Sequence, residues 1–241
     1  MIWLYGKHAC FAAIQNNNRT IHSILVTNKD DAEEIKHLSD KKLNIRIQTK
    51  KELDQVLGRD AVHQGIAMQV SPLSYEDLSY LQTLDDTNQI VVILDQVTDP
   101  HNVGAIMRSC AAFGAKAIIE QERHSPKETG TLAKAASGAL EILPRIHVGN
   151  IAQTLKQLQS MGFWTAGFSE QGNTYLPKAD LKGKVALVMG SEGDGMRRLT
   201  KEYCDFHLKL PTAEFSTLNV STATAVALYQ VYIQHHEGRL S

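Results

Sequence analysis

The chain has 241 residues, 43% of them hydrophobic and 21% charged, with a formal net charge of −1. That composition suits a globular protein of two modest domains or one large one and excludes a disordered or collagen-like chain. No apolar run approaches the roughly 20 residues that span a bilayer. Cys10, Cys110 and Cys204 form no C-x-x-C pair, so neither a disulfide framework nor a zinc site is indicated.

Lys7 to Gln15 has helical spacing of apolar residues, and Ile21 to Val26 reads as a strand. Asp30 to Leu38 is a charged helix with an acidic start, Leu43 to Ile47 a strand, Lys50 to Leu57 a helix and Gly65 to Val70 a strand. About 70 residues of alternating helix and strand can make one small layered α/β domain. Ser71 to Asn88 contains a proline, several serines and threonines and no basic residue. A linker is therefore placed at 73–88, between domains 1–72 and 89–241.

The remainder predicts strands near 90–94, 117–120, 142–147, 163–168, 185–189 and 206–210. Helices are expected near 103–113, 128–137, 150–161, 196–202 and 218–236. Adjacent strand–helix units imply a mostly parallel sheet covered on both faces. The three regions carry formal charges of +2, −4 and +1. Two faintly basic domains permit nucleic-acid binding without announcing it. Lys7, Arg19, Arg46 and Arg59 are the N-terminal basic residues least surrounded by acids in sequence, and His8, His63 and His101 are further candidates for nucleic-acid contact.

Three strand ends concentrate unusual residues. Ile90–Leu94 runs into a loop with Asp95, Asp99, Pro100 and His101, then into Asn102-Val-Gly104-Ala-Ile-Met-Arg108 on a helix of small residues. Asn102 is expected to cap that helix, and an arginine aimed back at the loop suits an anion. Val185–Met189 leads into Gly190-Ser-Glu192-Gly193-Asp-Gly195. This glycine order reverses the dinucleotide fingerprint, so a nicotinamide site is disfavoured and close approach of a flat ligand is expected instead. Leu208–Pro211 precedes Thr217-Leu218-Asn219-Val-Ser221 and a long helix. Ligand binding at the carboxyl edge of a parallel sheet fits all three.

The triplet N-x-G-x-x-x-R, G-x-E-G-x-G and a proline followed by L-N-V-S resembles the SpoU/TrmH family of RNA 2′-O-ribose methyltransferases, within the SPOUT superfamily. Gly6-Lys-His8-Ala and Val62-His63-Gln64-Gly65-Ile66 resemble the branch that methylates a guanosine ribose in bacterial 23S rRNA. The resemblance covers nearly the whole chain.

It implies an L30e-like RNA-binding domain at 1–72 and a SPOUT domain whose C-terminal helix is threaded into a deep trefoil knot. It also implies S-adenosylmethionine as cofactor without a metal, ribosomal RNA as partner, a cytoplasmic homodimer and no membrane association. Catalytic positions by resemblance are Asn102, Arg108, Glu192, Thr217 and Asn219, with Arg108 orienting the ribose hydroxyl and Glu192 holding the guanidinium. Gly190, Leu210 and Leu218 match cofactor-binding positions. Thr217 stands where serine is usual, and the loop after Pro211 is a residue short. Two other readings remain open: a tRNA methyltransferase of the same family, which usually lacks the first domain, and a non-catalytic RNA-binding assembly factor.

Overall fold

Short strands and capped helices alternate in the first part of the computed structural model, which describes residues 1–213 and 218–237. The order is β1 (Ile2–Tyr5), α1 (Lys7–Gln15), β2 (Ile21–Val26), α2 (Lys29–Leu38), β3 (Ile45–Ile47), α3 (Lys50–Leu57) and β4 (Ile66–Val70). They build a four-stranded sheet in the order β1-β4-β2-β3. Only β2 and β3 run parallel. β1 was not expected, because four residues of Ile-Trp-Leu-Tyr carry no alternation. Thr49 and Glu52 close a reciprocal capping box at α3, and Asn28 caps α2. His63 is buried. Its Nδ1 accepts from the Gly65 N–H at 3.0 Å, so Nε2 carries the proton and donates to Asp54 at 3.1 Å. That histidine holds the loop before β4 and is not a free contact residue.

The chain continues through β5 (Gln89–Asp95), α4 (Pro100–Ala112), β6 (Ala117–Gln121), α5 (Gly130–Ala136), β7 (Arg145–Val148), α6 (Ile151–Ser160), β8 (Trp164–Phe168), β9 (Thr174–Tyr175), β10 (Lys184–Gly190), α7 (Arg198–Glu202), β11 (Phe206–Lys209) and α8 (Val220–His235). The seven strands form one sheet in the order β7-β6-β5-β10-β8-β11-β9, with every pairing parallel. All seven residues of β5 are buried, as a central strand covered on both faces requires. Among the described residues no helix is long and apolar enough to cross a membrane.

Two compact units result: Met1–Ser74 with Pro126–Ile142, and Tyr75–Ser125 with Leu143–Ser241. The expected division at 73–88 differs from this in two places. Residues 75–88 do not form a free spacer. Glu76 bridges to Ile146, and Leu81 is buried in a core with Val91, Ile119 and Ile146, flanked by Leu78 and Leu84. Three leucines at spacing three share one face of the 3-10 turn Leu78–Thr83.

Secondly, Pro126–Ile142 leaves the later unit and completes the earlier one. Gly130 sits where a Cβ would fall 2.4 Å from the Tyr5 ring and 2.6 Å from the Trp3 carbonyl oxygen. Arg19 is buried and pairs with Glu128 and Glu141, each at 2.6 Å. Glu128 also accepts from the Leu73 N–H, and Glu141 from Asn16. Arg19 is thus a structural cation, not a surface contact for nucleic acid. Its partners lie more than 100 residues away, beyond what local composition can show.

Candidate functional site

The carboxyl ends of β5, β10 and β11 carry the three loops singled out by sequence. Gly190, which ends β10, lies in register beside Asp95, which ends β5. Ser191 and Gly195 then exchange backbone hydrogen bonds of 3.2 and 3.1 Å, closing a tight turn with Glu192, Gly193 and Asp194 at its tip. Gly193 and Gly195 have φ of 91° and 68°, which glycine adopts without a steric cost. A Cβ on Gly190 would fall 2.2 Å from the Gly195 carbonyl carbon and 2.3 Å from the Met196 nitrogen. The close approach at Gly190 therefore comes from its own loop folding back, where a flat ligand was expected.

Asn102, Glu192 and Asn219 meet. Glu192 Oε1 accepts from Asn102 Nδ2 at 3.3 Å, from the Val220 N–H at 3.4 Å, and from Asn219 Nδ2 in a very short contact. Asn219 Nδ2 also donates to Asn102 Oδ1 at 3.0 Å. With Oδ1 it caps α8, accepting from the Ser221 N–H at 2.8 Å and its hydroxyl at 2.6 Å. Glu192 thus sits at the N-terminus of a 16-residue helix, where the helix dipole favours a carboxylate. Its Oε2 has no hydrogen bond among the described residues.

Asn102 is not the cap of α4. The helix begins two residues earlier, at Pro100, with Asp99 accepting from the His101 N–H at 3.0 Å. Proline suits the first helical position, so the asparagine amide is released to join Glu192. Arg108 is exposed on α4, and among the described residues it makes no ion pair with Glu192, contrary to expectation. Six residues along a helix rotate a side chain by roughly 240° and advance it about 9 Å. Asn102 therefore occupies the position facing Glu192, and Arg108 lies further along the helix on another, exposed face. Thr217 lies outside the described residues. His101 is exposed and contributes only its backbone N–H to the cap.

One further pair was missed by sequence reasoning. Asp95 is fully buried and accepts from Arg197 twice, from the backbone N–H at 2.9 Å and from Nε at 2.7 Å. The available signal was a carboxylate directly after the wholly apolar run Ile90–Leu94, since a buried charge requires a partner.

A cavity of about 500 Å³ opens beside this cluster. Gly190, Leu210 and Leu218 all line it, together with Glu192, Val220 and the turn from Ser191 to Met196. Leu218 remains 43% exposed, an apolar side chain left at a rim. Lys201 and Lys209 also line the cavity, and the Lys209 ammonium lies 4.6 Å from the centre of the Tyr175 ring. The arrangement combines apolar walls, backbone groups and a carboxylate, one oxygen of which has no hydrogen bond among the described residues. Concave sites of this size and mixed lining suit a small organic ligand, and charges of both signs, Glu192 and Asp194 against Lys201 and Lys209, border the space.

Residues 89–229 match the SpoU rRNA Methylase family, and residues 3–76 match the RNA 2'-O ribose methyltransferase substrate binding family. The 23S rRNA (guanosine-2'-O-)-methyltransferase RlmB of Pseudomonas aeruginosa is 36% identical over 239 residues, 96% of each chain. An uncharacterised tRNA/rRNA methyltransferase of Synechocystis, slr0955, is 37% identical over 246 residues, 96% of this chain and 62% of that protein. In fold, the chain is similar to the SpoU methyltransferase AviRb of Streptomyces viridochromogenes solved with AdoMet. The TM-score is 0.83 at 20% identity, covering 98% of this chain and 91% of AviRb.

Proposed function

The chain belongs to the SpoU rRNA methylase family of RNA 2′-O-methyltransferases, and we propose that it methylates the ribose of a guanosine in 23S rRNA from S-adenosylmethionine. The observation that carries this reading is a likeness extending over 96% of both chains to an enzyme of that name. It includes the N-terminal region matched by the substrate-binding family.

The cavity fits the cofactor. Its volume of about 500 Å³ lies in the range of small-molecule sites, and the Glu192 carboxylate in its lining suits the cationic part of that cofactor. S-adenosylmethionine supplies a methyl group on a positively charged sulfur, already activated for displacement. Gly190, Leu210 and Leu218, which line the cavity, would hold it by backbone groups and an apolar wall. Glu192 is tied by donors from Asn102, Asn219 and Val220, so it acts as a fixed acceptor and not as a mobile base.

Arg108 orients the ribose hydroxyl, or the adjacent phosphate, by its planar fork of donors. A guanidinium is a poor proton acceptor, so Arg108 would act by orienting the hydroxyl and not by taking its proton. Asn102 and Asn219 set the Glu192 carboxylate against the cavity, and the Thr217 hydroxyl serves the RNA phosphate or the cofactor. The first unit recruits the RNA. A second copy of the chain covers the α8 face on which Val226 and Tyr229, three residues apart, are 44% and 54% exposed.

The test is a map of 2′-O-methyl groups in RNA from cells lacking the gene and from cells in which it is restored. One guanosine of 23S rRNA should lose and regain its methyl group. Loss at a tRNA position instead would make the chain a tRNA enzyme of the same family. No loss anywhere, with no binding of S-adenosylmethionine by calorimetry, would support the assembly-factor reading.

A further inference from the structure

Behind the residues that face the cavity lies a pair that no site assignment includes. Asp95 closes β5 and is fully buried. The chain leaving β10 turns through Ser191–Gly195, crosses Gly190 at a distance no Cβ would allow, and then docks Arg197 on Asp95. Both carboxylate oxygens are engaged, Oδ2 by the Arg197 backbone N–H at 2.9 Å and Oδ1 by its Nε at 2.7 Å. On the other side of Asp95, Gln96 takes a positive φ of 63°, a conformation uncommon outside glycine, and starts the loop that leads to Asn102.

One carboxylate therefore joins the beginning of the loop that leads into α4, which bears Asn102, to the end of the turn bearing Glu192. Those two side chains meet at 3.3 Å. The contact to the Arg197 backbone N–H fixes the path of the main chain, whereas the contact to Nε closes the angle of approach. A buried ion pair is a weak means of raising stability, because desolvation offsets much of its attraction. A pair that sets spacing has a different use: catalysis is lost when reacting groups are displaced by about 1 Å.

We propose that Asp95 and Arg197 are positioning residues for methyl transfer, holding the Glu192 turn and the Asn102 end of α4 at the separation the reaction needs. The proposal rests on the methyltransferase reading above. Neither residue lines the cavity; both act through Glu192 and Asn102.

The experiment uses the full chain with Arg197→Met, Arg197→Lys and Asp95→Asn. Three quantities are read for each: thermal unfolding, affinity for S-adenosylhomocysteine, and single-turnover methyl transfer to 23S rRNA at saturating S-adenosylmethionine. Arg197→Met should remain folded, since Arg197 is partly exposed and its backbone N–H is retained. Its single-turnover rate should fall about 10²-fold, with weaker S-adenosylhomocysteine binding because the displaced turn lines the cavity. Arg197→Lys should recover part of the rate, as an ammonium can still reach Asp95.

A lowered unfolding temperature with a saturated rate within about threefold of wild type would show a merely structural pair and overturn the proposal. Should Arg197→Met not fold, Arg197→Lys and the isosteric Asp95→Asn decide by the same rate. Wild-type protein that neither binds S-adenosylhomocysteine nor methylates RNA overturns the enzymatic reading itself, which separates the two failures.

Discussion

Asn219 Nδ2 donates to Asn102 Oδ1 across 3.0 Å, joining residues 117 positions apart in sequence. The same amide reaches Glu192, and the same side chain caps α8. Stability and site geometry thus converge on one residue and can be separated by substitution. Asn219→Ser keeps a good helix cap and loses the amide donor. It should leave unfolding unchanged within about 0.5 kcal/mol while single-turnover methyl transfer falls at least about tenfold. Asn219→Ala should add a stability loss of about 1 kcal/mol. Equal rates for Asn219→Ser and wild type would remove the amide from the site.

Arg108 gives the cleanest division between chemistry and cofactor binding. It lies on α4, is exposed and does not line the cavity. Arg108→Ala should therefore bind S-adenosylmethionine as wild type does by calorimetry, yet lose methyl transfer by about 10²-fold or more. Arg108→Lys should fail nearly as badly, because an ammonium lacks the planar fork. A single-turnover rate near wild type in either variant would sink the catalytic assignment.

Arg19 should behave as a structural residue and not as an RNA contact. Arg19→Met leaves Glu128 and Glu141 buried without their cation, and breaking such a pair costs about 3–5 kcal/mol. Denaturant unfolding should show a loss of that size. Exposed Arg46 and Arg59 are the better substitutions for probing RNA affinity, each expected to lower the salt slope by about one counterion. An Arg19→Met protein of undiminished stability would contradict the buried triad.

His147 sets part of the acid sensitivity. Burial, and next the Arg145 guanidinium, pull its pKa down to about 4, with Glu122 opposing weakly. Its ring stacks on Tyr75 at 3.5 Å. The unfolded chain binds this proton near pH 6.5 and the folded chain only near 4. Stability should therefore fall as pH drops through that interval, by at most about 3 kcal/mol. Burial pushes neighbouring Glu120 upward, which works in the opposite direction, so the quantity to measure is the difference between wild type and His147→Gln. That difference should shrink between about pH 6.5 and 4; a constant difference would contradict the depressed value.

The elements were largely legible because continuous apolar runs and helical spacing survive in the sequence: β2, α3 and β5 lie within a residue or so of their expected bounds. What escaped depends on contacts between distant residues. Asn102 looked like a cap because asparagine often is one; Asp99 and Pro100 had already taken the position. Glu192 was expected on Arg108, but helical geometry gives it to Asn102. The glycines of the 190–195 turn stand out in the sequence, but only the folded chain shows that Gly190 makes room for its own loop. Arg197, one of two adjacent arginines, had nothing local to mark it as the partner of Asp95.

The helix α5 and its flanks have a consequence for how this chain can be cut. The polypeptide passes from one unit to the other three times, near residues 74, 125 and 142. A protease that nicks the chain at residue 74 therefore leaves the halves interlocked through Arg19, Glu128 and Glu141, and the two pieces should still travel together on a sizing column. A deletion that begins at residue 85 does something different: it strips the hydrophobic face of α5 and orphans two buried carboxylates. The boundary visible in the sequence is a place where the chain can be cleaved, but the N-terminal unit cannot be removed there without leaving its last piece behind.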